Sequence, residues 1–270
     1  ILGYTLSDIM FEGPLDKLKE TRYTQPALFI HSSVVFDLIK DKIKFDVAAG
    51  HSVGEYAALY SAGVLSFEDA LNLVSLRGKL MFKSGEKEPG TMFAVINLDD
   101  DKVVEVCDKL TKEDERKYIV AANFNSPGQV VVSGTADYLR ENIEEFKNAG
   151  ARLVKELVVS GAFHSPLMES SKHELAEAIN KMKFNDANKP VYVNVSGKSL
   201  TDSYEIREAL IEQLTSPVLW TQTLLNMNSD GVKNFVEVGA GNVLQGLVKR
   251  TLKEVEFCGY DKYEDIINNI

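Results

Sequence analysis

The chain has 270 residues, a size that allows one large domain or two modest ones around a sizeable core. Apolar residues make up 44% and charged residues 26%, the balance of a soluble globular protein, and the net charge of −10 argues against nucleic acid as a partner. No run approaches the ~20 apolar residues of a membrane span, no signal-peptide pattern opens the chain, and Cys107 and Cys258 form no metal or redox motif, so a reduced, cytoplasmic setting is expected.

In chain order, apolar residues at 28, 29, 35, 36 and 39 predict a helix over Pro26–Lys40. Phe45–Ala49 reads as a strand and Glu55–Ala62 as a helix, with Gly50-His51-Ser52-Val53-Gly54-Glu55 between them. Ser66-Phe67-Glu68-Asp69 resembles a capping box opening a helix to about Ser84. Between 88 and 160 the rhythm changes. Strand Thr91–Asn97, helix Asp100–Leu110, strands Tyr118–Phe124 and Gln129–Thr135, helix Ala136–Gly150 and strand Arg152–Val159 follow one another. That βαββαβ order predicts a ferredoxin-like subdomain, residues 88–160, inserted into a larger α/β parallel-sheet domain formed by 1–87 and 161–270. Next come a helix Pro166–Lys183, a strand Val191–Val195, a helix Glu205–Leu214 and another helix after Pro217. Strand Asn234–Val238, a Gly239-Ala240-Gly241-Asn242 turn, helix Val243–Leu252 and a closing strand Val255–Gly259 complete the pattern.

The hexapeptide at 50–55 carries a Gly-x-Ser-x-Gly motif in the strand–turn–helix context its chemistry needs. Two glycines leave room for a strained turn, so the Ser52 hydroxyl can stand clear at a helix N-terminus. The uncommitted amides there, Val53 foremost, can hold a developing oxyanion. The plainer alternative is a glycine-rich connection without chemistry. A nucleophilic serine needs a base, and four histidines are available. His31 lies in an amphipathic helix, His173 sits among polar helical residues, and His51 precedes Ser52 with its side chain expected to point away. His164 lies in Ser160-Gly161-Ala162-Phe163-His164-Ser165-Pro166, a loop after a strand end, where α/β folds build their sites. It is the favoured base over a solvated turn histidine.

These stretches resemble the malonyl-CoA:acyl carrier protein transacylase family over nearly the whole chain. The resemblance rests on Gly50–Glu55, Gly161–Ser165, Thr24-Gln25-Pro26-Ala27, Leu76-Arg77-Gly78, Asn123–Gln129, Gln213–Trp220 and Glu237–Gly241, in order and with similar spacing. It implies a hydrolase-like α/β domain with an inserted ferredoxin-like subdomain. It also implies transfer of a malonyl group from malonyl-CoA to the phosphopantetheine thiol of acyl carrier protein, through a malonyl-serine, in fatty acid biosynthesis.

The resemblance assigns Ser52 as nucleophile, His164 as base, the Gln213 backbone carbonyl as the group orienting the imidazole, and the Val53 N–H as an oxyanion donor. Arg77 would grip the malonyl carboxylate, although an arginine in that helix would otherwise read as a surface charge. Gln25, Asn125 and His51 fall at substrate-binding positions, and Phe163 resembles the malonyl-selecting form of its loop. For Gln25 and Asn125 a helix cap and a turn residue remain the alternatives. Coenzyme A enters as the substrate's thioester and no separate cofactor is expected. The family also begins with a strand leading to a Gly-Gln-Gly loop that supplies a second oxyanion N–H. No such segment appears before Thr24, and residues preceding Ile1 are expected to hold it. A polyketide-type acyltransferase, a serine thioesterase or hydrolase, and a non-catalytic carrier-protein binding module are the alternatives. Lys249, Arg250 and Lys253 read as a solvated helix face that could instead meet coenzyme A or the carrier.

Overall fold

The computed structural model describes residues 1–269 as an α/β fold. Helices α1 (Leu6–Phe11) and α2 (Leu15–Leu18) lead into α3 (Thr21–Ile39). Strand β1 (Ala48–Ala49) feeds α4 (Gly54–Ser61), and α5 (Phe67–Lys87) follows. Then come β2 (Gly90–Ile96), α6 (Asp100–Leu110), β3 (Ile119–Ser126), β4 (Gln129–Thr135), α7 (Ala136–Glu141), α8 (Ile143–Asn148) and β5 (Leu153–Glu156). The last third carries α9 (Glu169–Ile179), β6 (Val191–Tyr192), β7 (Ser199–Leu200), α10 (Ser203–Glu212), α11 (Trp220–Ser229), β8 (Asn234–Val238), α12 (Val243–Thr251), β9 (Glu256–Tyr260) and α13 (Tyr263–Asn269).

The strands form mixed sheets. β1 pairs parallel with β6, which pairs antiparallel with β7; β8 and β9 pair parallel; and β3-β4-β2-β5 form a four-stranded antiparallel sheet. The main core gathers α4 and α5 with Phe29 of α3, Leu175 and Ile179 of α9, and Val191 of β6. A second core lies under the antiparallel sheet, where Val95, Val130 and Val132 meet Val103 and Cys107 of α6 and Phe146 of α8. A groove lies beside β1 and β8, lined by Phe36, Val47, Phe235, Val236 and Val238 and reaching His51 and Ser52 at one end. Among the described residues no helix is long and apolar enough to cross a membrane.

Several boundaries differ from the sequence expectation, each for a local reason. Helix α3 begins at Thr21 rather than at Pro26 and carries Pro26 inside it. The predicted 45–49 strand shrinks to two paired residues, because β6, its partner, is equally short. The predicted helix over 136–150 is two helices broken at Asn142, whose side-chain amide donates to the Tyr138 carbonyl in place of a continuing ladder. The 166–183 helix opens with a 3₁₀ turn over Pro166–Met168, capped by Ser165, before α9 begins. Strand β9 does not close the chain, since α13 follows it and buries Ile266 beside Tyr260. Ser66 does cap α5, its hydroxyl accepting the Asp69 N–H at 3.0 Å.

Candidate active site

Ser52 sits on the turn between β1 and α4 with φ of 50°, the left-handed region that side chains with a Cβ rarely adopt. Two backbones abut there: a Cβ on Gly50 would overlap the Gly54 carbonyl and crowd the Glu55 N–H. Gly54 is different, with open space where a Cβ would stand. The steric demand of the motif therefore falls on its first glycine, not on both. Val53 is the N-cap of α4; the N–H groups of Gly54, Glu55 and Tyr56 donate to the His51, Ser52 and Val53 carbonyls, so the amide left for an oxyanion is that of Val53 itself.

His164 comes from the loop before α9, also at positive φ (55°), and is 3% exposed. Its Nε2 lies 2.8 Å from Ser52 Oγ and its Nδ1 lies 3.0 Å from the Gln213 carbonyl oxygen. A carbonyl only accepts, so Nδ1 carries the proton and Nε2 faces the hydroxyl as acceptor. Gln213 is the C-cap of α10, and a helix's last carbonyls have no intrahelical partner, which leaves this one free to orient the ring. Burial first, and the Arg77 charge second, push the His164 pKa down to about 3, so the imidazole is neutral across the ordinary pH range.

Arg77 is 1% exposed, on the buried face of α5. One Nη donates to Gln25 Oε1 at 2.7 Å; the other donates to Ser52 Oγ at 2.9 Å and to Gln213 Oε1 at 3.1 Å. All three partners are neutral. A buried cation held only by neutral acceptors is an expensive arrangement in a protein interior. Helix α5 reaches this position because Gly78 lets it lie against the start of α3, where a Cβ would sit 2.9 Å from the Thr21 carbonyl. The same packing brings Gln25 in, its amide nitrogen 3.1 Å from Met81 Sδ.

The remaining expected residues lie around this centre. His51 turns away from the hydroxyl and donates from Nε2 to Asn125 Oδ1 at 2.8 Å, its ring against Trp220 at 5.5 Å. Asn125 stands on β3, which is tied to the segment after Gln213 by backbone bonds between Phe124 and Val218 and between Val218 and Ala122. Phe163 packs between the main core and a small cluster of Met92, Ala122 and Val131. His31 is elsewhere, paired with Asp261, and His173 is on the surface near Glu177. Lys249, Arg250 and Lys253 are exposed, with Arg250 donating to Gln129 Oε1.

Two residues in this neighbourhood escape sequence reasoning. Asn194, fully buried after β6, accepts the Ser52 N–H on Oδ1 and donates from Nδ2 to the Gly50 carbonyl, both at 2.7 Å. Glu55, fully buried on α4, accepts the Asn194 N–H at 2.8 Å. Burial raises the Glu55 pKa to about 7, against the pull of the Asn194 N–H, the Gln213 side chain and the Arg77 charge. Glu55 was visible as part of the motif, but a glutamate in a first helical turn ordinarily reads as a dipole partner facing water.

The chain is similar to known proteins along nearly all of its length. Residues 1–264 match the family described as Acyl transferase domain. The chain is 40% identical over 265 residues to the malonyl CoA-acyl carrier protein transacylase of Staphylococcus aureus strain MSSA476, a match covering 98% of this chain and 85% of that protein. An acyl carrier protein S-malonyltransferase from Vibrio cholerae has a similar solved structure, with a TM-score of 0.93 and 37% identity, covering 99% of this chain and 87% of that one. A malonyl-transacylase solved in complex with a type II PKS acyl-carrier protein gives a TM-score of 0.93 at 35% identity, over 99% of this chain and 86% of that one.

Proposed function

The chain belongs to the acyl transferase domain family, and from that premise we infer that it transfers the malonyl group of malonyl-CoA to acyl carrier protein in fatty acid synthesis. The observation that carries the substrate assignment is Arg77: a buried guanidinium, bonded only to neutral acceptors, touching the oxygen that would attack. A malonyl carboxylate satisfies that charge, whereas an acetyl or longer neutral acyl group leaves it unpaired. Phe163 beside the His164 loop supports a preference for malonyl over bulkier methylmalonyl groups.

The reaction runs in two displacements. His164 Nε2 takes the Ser52 proton as Oγ attacks the thioester carbonyl, and the Val53 N–H receives the oxyanion. The carbon–sulfur bond breaks and coenzyme A leaves with the proton from His164. The carrier's thiol then gives its proton to His164 and attacks malonyl-Ser52; the ester bond breaks and Oγ recovers its hydrogen. Gln213 holds the tautomer throughout, the orienting share of a triad carboxylate's work. Gln25, Asn125 and His51 line the substrate, and these steps need no cofactor beyond the coenzyme A of the substrate itself.

The strand order β3-β4-β2-β5, with α6 after β2 and α7 and α8 after β4, supports a ferredoxin-like subdomain over 88–160 inserted in a hydrolase-like domain. The unpaired state of buried Cys107 and exposed Cys258 supports a cytoplasmic setting. The neighbour solved with a type II PKS acyl-carrier protein keeps a polyketide-type carrier as the second reading of the acceptor.

Intact-mass analysis after malonyl-CoA, with Ser52→Ala as control, tests this function. The expected result is a malonyl adduct on the wild type alone that moves to acyl carrier protein when carrier is added. An adduct released only to water would make the protein a hydrolase, and no adduct would leave a carrier-binding module.

A further inference from the structure

Ser52 holds a backbone conformation that persists only where surrounding groups over-determine it, and Asn194 supplies those groups. Its carboxamide bridges the turn, taking the N–H of residue 52 and giving a proton to the carbonyl of residue 50. Both bonds are 2.7 Å and the side chain is closed to solvent. Asn194 is itself fixed through its backbone. Its N–H donates to Glu55 Oε2 at 2.8 Å and its carbonyl accepts the Leu219 N–H at 2.9 Å. Glu55 then closes the loop, because its own N–H donates to the Ser52 carbonyl at 3.1 Å. The Gly50–Ser52 turn, Asn194 and the first turn of α4 thus form one ring of hydrogen bonds. The ring meets Arg77 only through Ser52, whose Oγ accepts from the guanidinium and whose carbonyl also accepts from Gln213 Nε2 at 3.1 Å.

We propose that Asn194, braced by Glu55, is a positioning residue for the nucleophile, setting the direction of Ser52 Oγ and of the Val53 N–H without touching substrate. The proposal rests on Ser52 being the nucleophile of the reaction inferred above. Loss of the clamp lets the turn relax toward an ordinary backbone conformation, which carries Oγ away from His164 Nε2. A misplacement of about 1 Å in such a constellation slows chemistry on the order of 10²-fold.

The experiment reads Ser52 reactivity in two ways, each normalised to folded protein by thermal melts followed by circular dichroism. One is the labelling rate of Ser52 by a fluorophosphonate, and the other is the rate of the first malonyl transfer from malonyl-CoA. Asn194→Ala is expected to slow both on the order of 10²-fold, with the KM for malonyl-CoA within about a factor of two because Gln25 and Gln213 still hold the Arg77 guanidinium. Glu55→Ala slows both about 10-fold; Glu55→Gln, which still accepts the Asn194 N–H, recovers to within about threefold. The double variant Asn194→Ala/Glu55→Ala is no slower than Asn194→Ala alone, since the two act through one path.

A folded Asn194→Ala protein reacting at the wild-type rate overturns the proposal, as does an additive double variant. If Asn194→Ala does not fold, Asn194→Asp replaces it. It keeps an acceptor for the Ser52 N–H and loses the donor to Gly50, so a slowed rate supports the clamp and an unchanged one refutes it. A wild-type protein that takes the fluorophosphonate on Ser52 but forms no malonyl adduct refutes the transacylase reading, and the labelling rates still decide the positioning role.

Discussion

Arg77 donates to Ser52 Oγ at 2.9 Å, so the guanidinium touches the oxygen that also lies 2.8 Å from His164 Nε2. In the proposed reaction that contact would tie substrate selection to the state of the nucleophile. An arriving malonyl group would offer the cation a carboxylate in exchange for a neutral hydroxyl and leave Oγ to His164. The acceptors Gln25 and Gln213 hold the guanidinium plane in place meanwhile.

Replacing Arg77 by Ala should therefore cost malonyl transfer far more than it costs reaction with neutral acyl groups. Two charge-assisted hydrogen bonds are worth about 3–4 kcal/mol, which corresponds to a fall in kcat/KM for malonyl-CoA on the order of 10²–10³-fold. Acetyl-CoA should react no more slowly than with the wild type. Arg77→Lys should also lose most of the malonyl rate, because an ammonium lacks the planar fork. Parallel losses for malonyl-CoA and acetyl-CoA would sink the assignment.

The pH dependence of kcat/KM tests the electrostatics around His164. A free histidine titrates near 6.5, but burial and Arg77 hold this one down to about 3. As the proposed base the ring must be neutral, and with a pKa of about 3 it is neutral across the ordinary pH range. The expected profile for Ser52 acylation in a Glu55→Gln background shows no acid limb between pH 5 and 8, values bracketing the ordinary histidine pKa of about 6.5. A limb centred near 6.5 there would mean that the imidazole is not held neutral. The same shift makes His164 a source of acid instability. Below about 6.5 the unfolded chain takes a proton that the folded site refuses, so its contribution turns unfavourable as pH falls toward 3.

Glu55 has the opposite sign. Its carboxyl is raised from 4.5 to about 7, so the folded protein binds a proton that the unfolded chain releases between those values. Stability attributable to this group is full below 4.5 and is lost as pH rises through about 7. Glu55→Gln should match the wild type at pH 4.5 and exceed it at pH 8, by roughly 3 kcal/mol at most for a shift of this size. Urea denaturation of both proteins at the two pH values measures the difference. An advantage of the variant that is independent of pH would show that Glu55 ionises normally.

Gly78→Ala separates packing from helix propensity. In a helix, alanine is favoured over glycine by about 1 kcal/mol, yet overpacking a tight contact costs about 1–3 kcal/mol. A Cβ at 78 would stand 2.9 Å from the Thr21 carbonyl and 3.1 Å from Arg22 Cα, both backbone atoms that cannot rotate away. Overpacking should win, giving a lower melting temperature. A rise in KM for malonyl-CoA should accompany it as α3 and α5 part and separate Gln25 from Arg77. A variant more stable than the wild type would show that the two helices yield freely.

What the sequence determined by itself was local chemistry and its order along the chain. Gly50–Glu55 announced a strand–turn–helix elbow, Ser66 announced the start of α5, and His164 stood out among four histidines by lying in a loop after a strand end. The alternation of strands over 90–156 showed where the pattern of a different sheet begins. These features are legible because they depend on short-range sterics, capping and periodicity.

Tertiary packing decided everything that required distant segments to meet. Arg77 has the sequence context of a surface charge; only the close approach of α5 to α3 at Gly78 makes it a buried cation beside Ser52. Asn194 carries no motif at all, and its two bonds to the turn span more than 140 positions of chain. Glu55 stands in the sequence only as the end of the motif, and its burial follows from the segment after β6, whose Asn194 N–H donates to its carboxyl. A hydrogen bond between residues far apart in sequence leaves no local periodicity behind, so the fold must exist before the clamp can be seen.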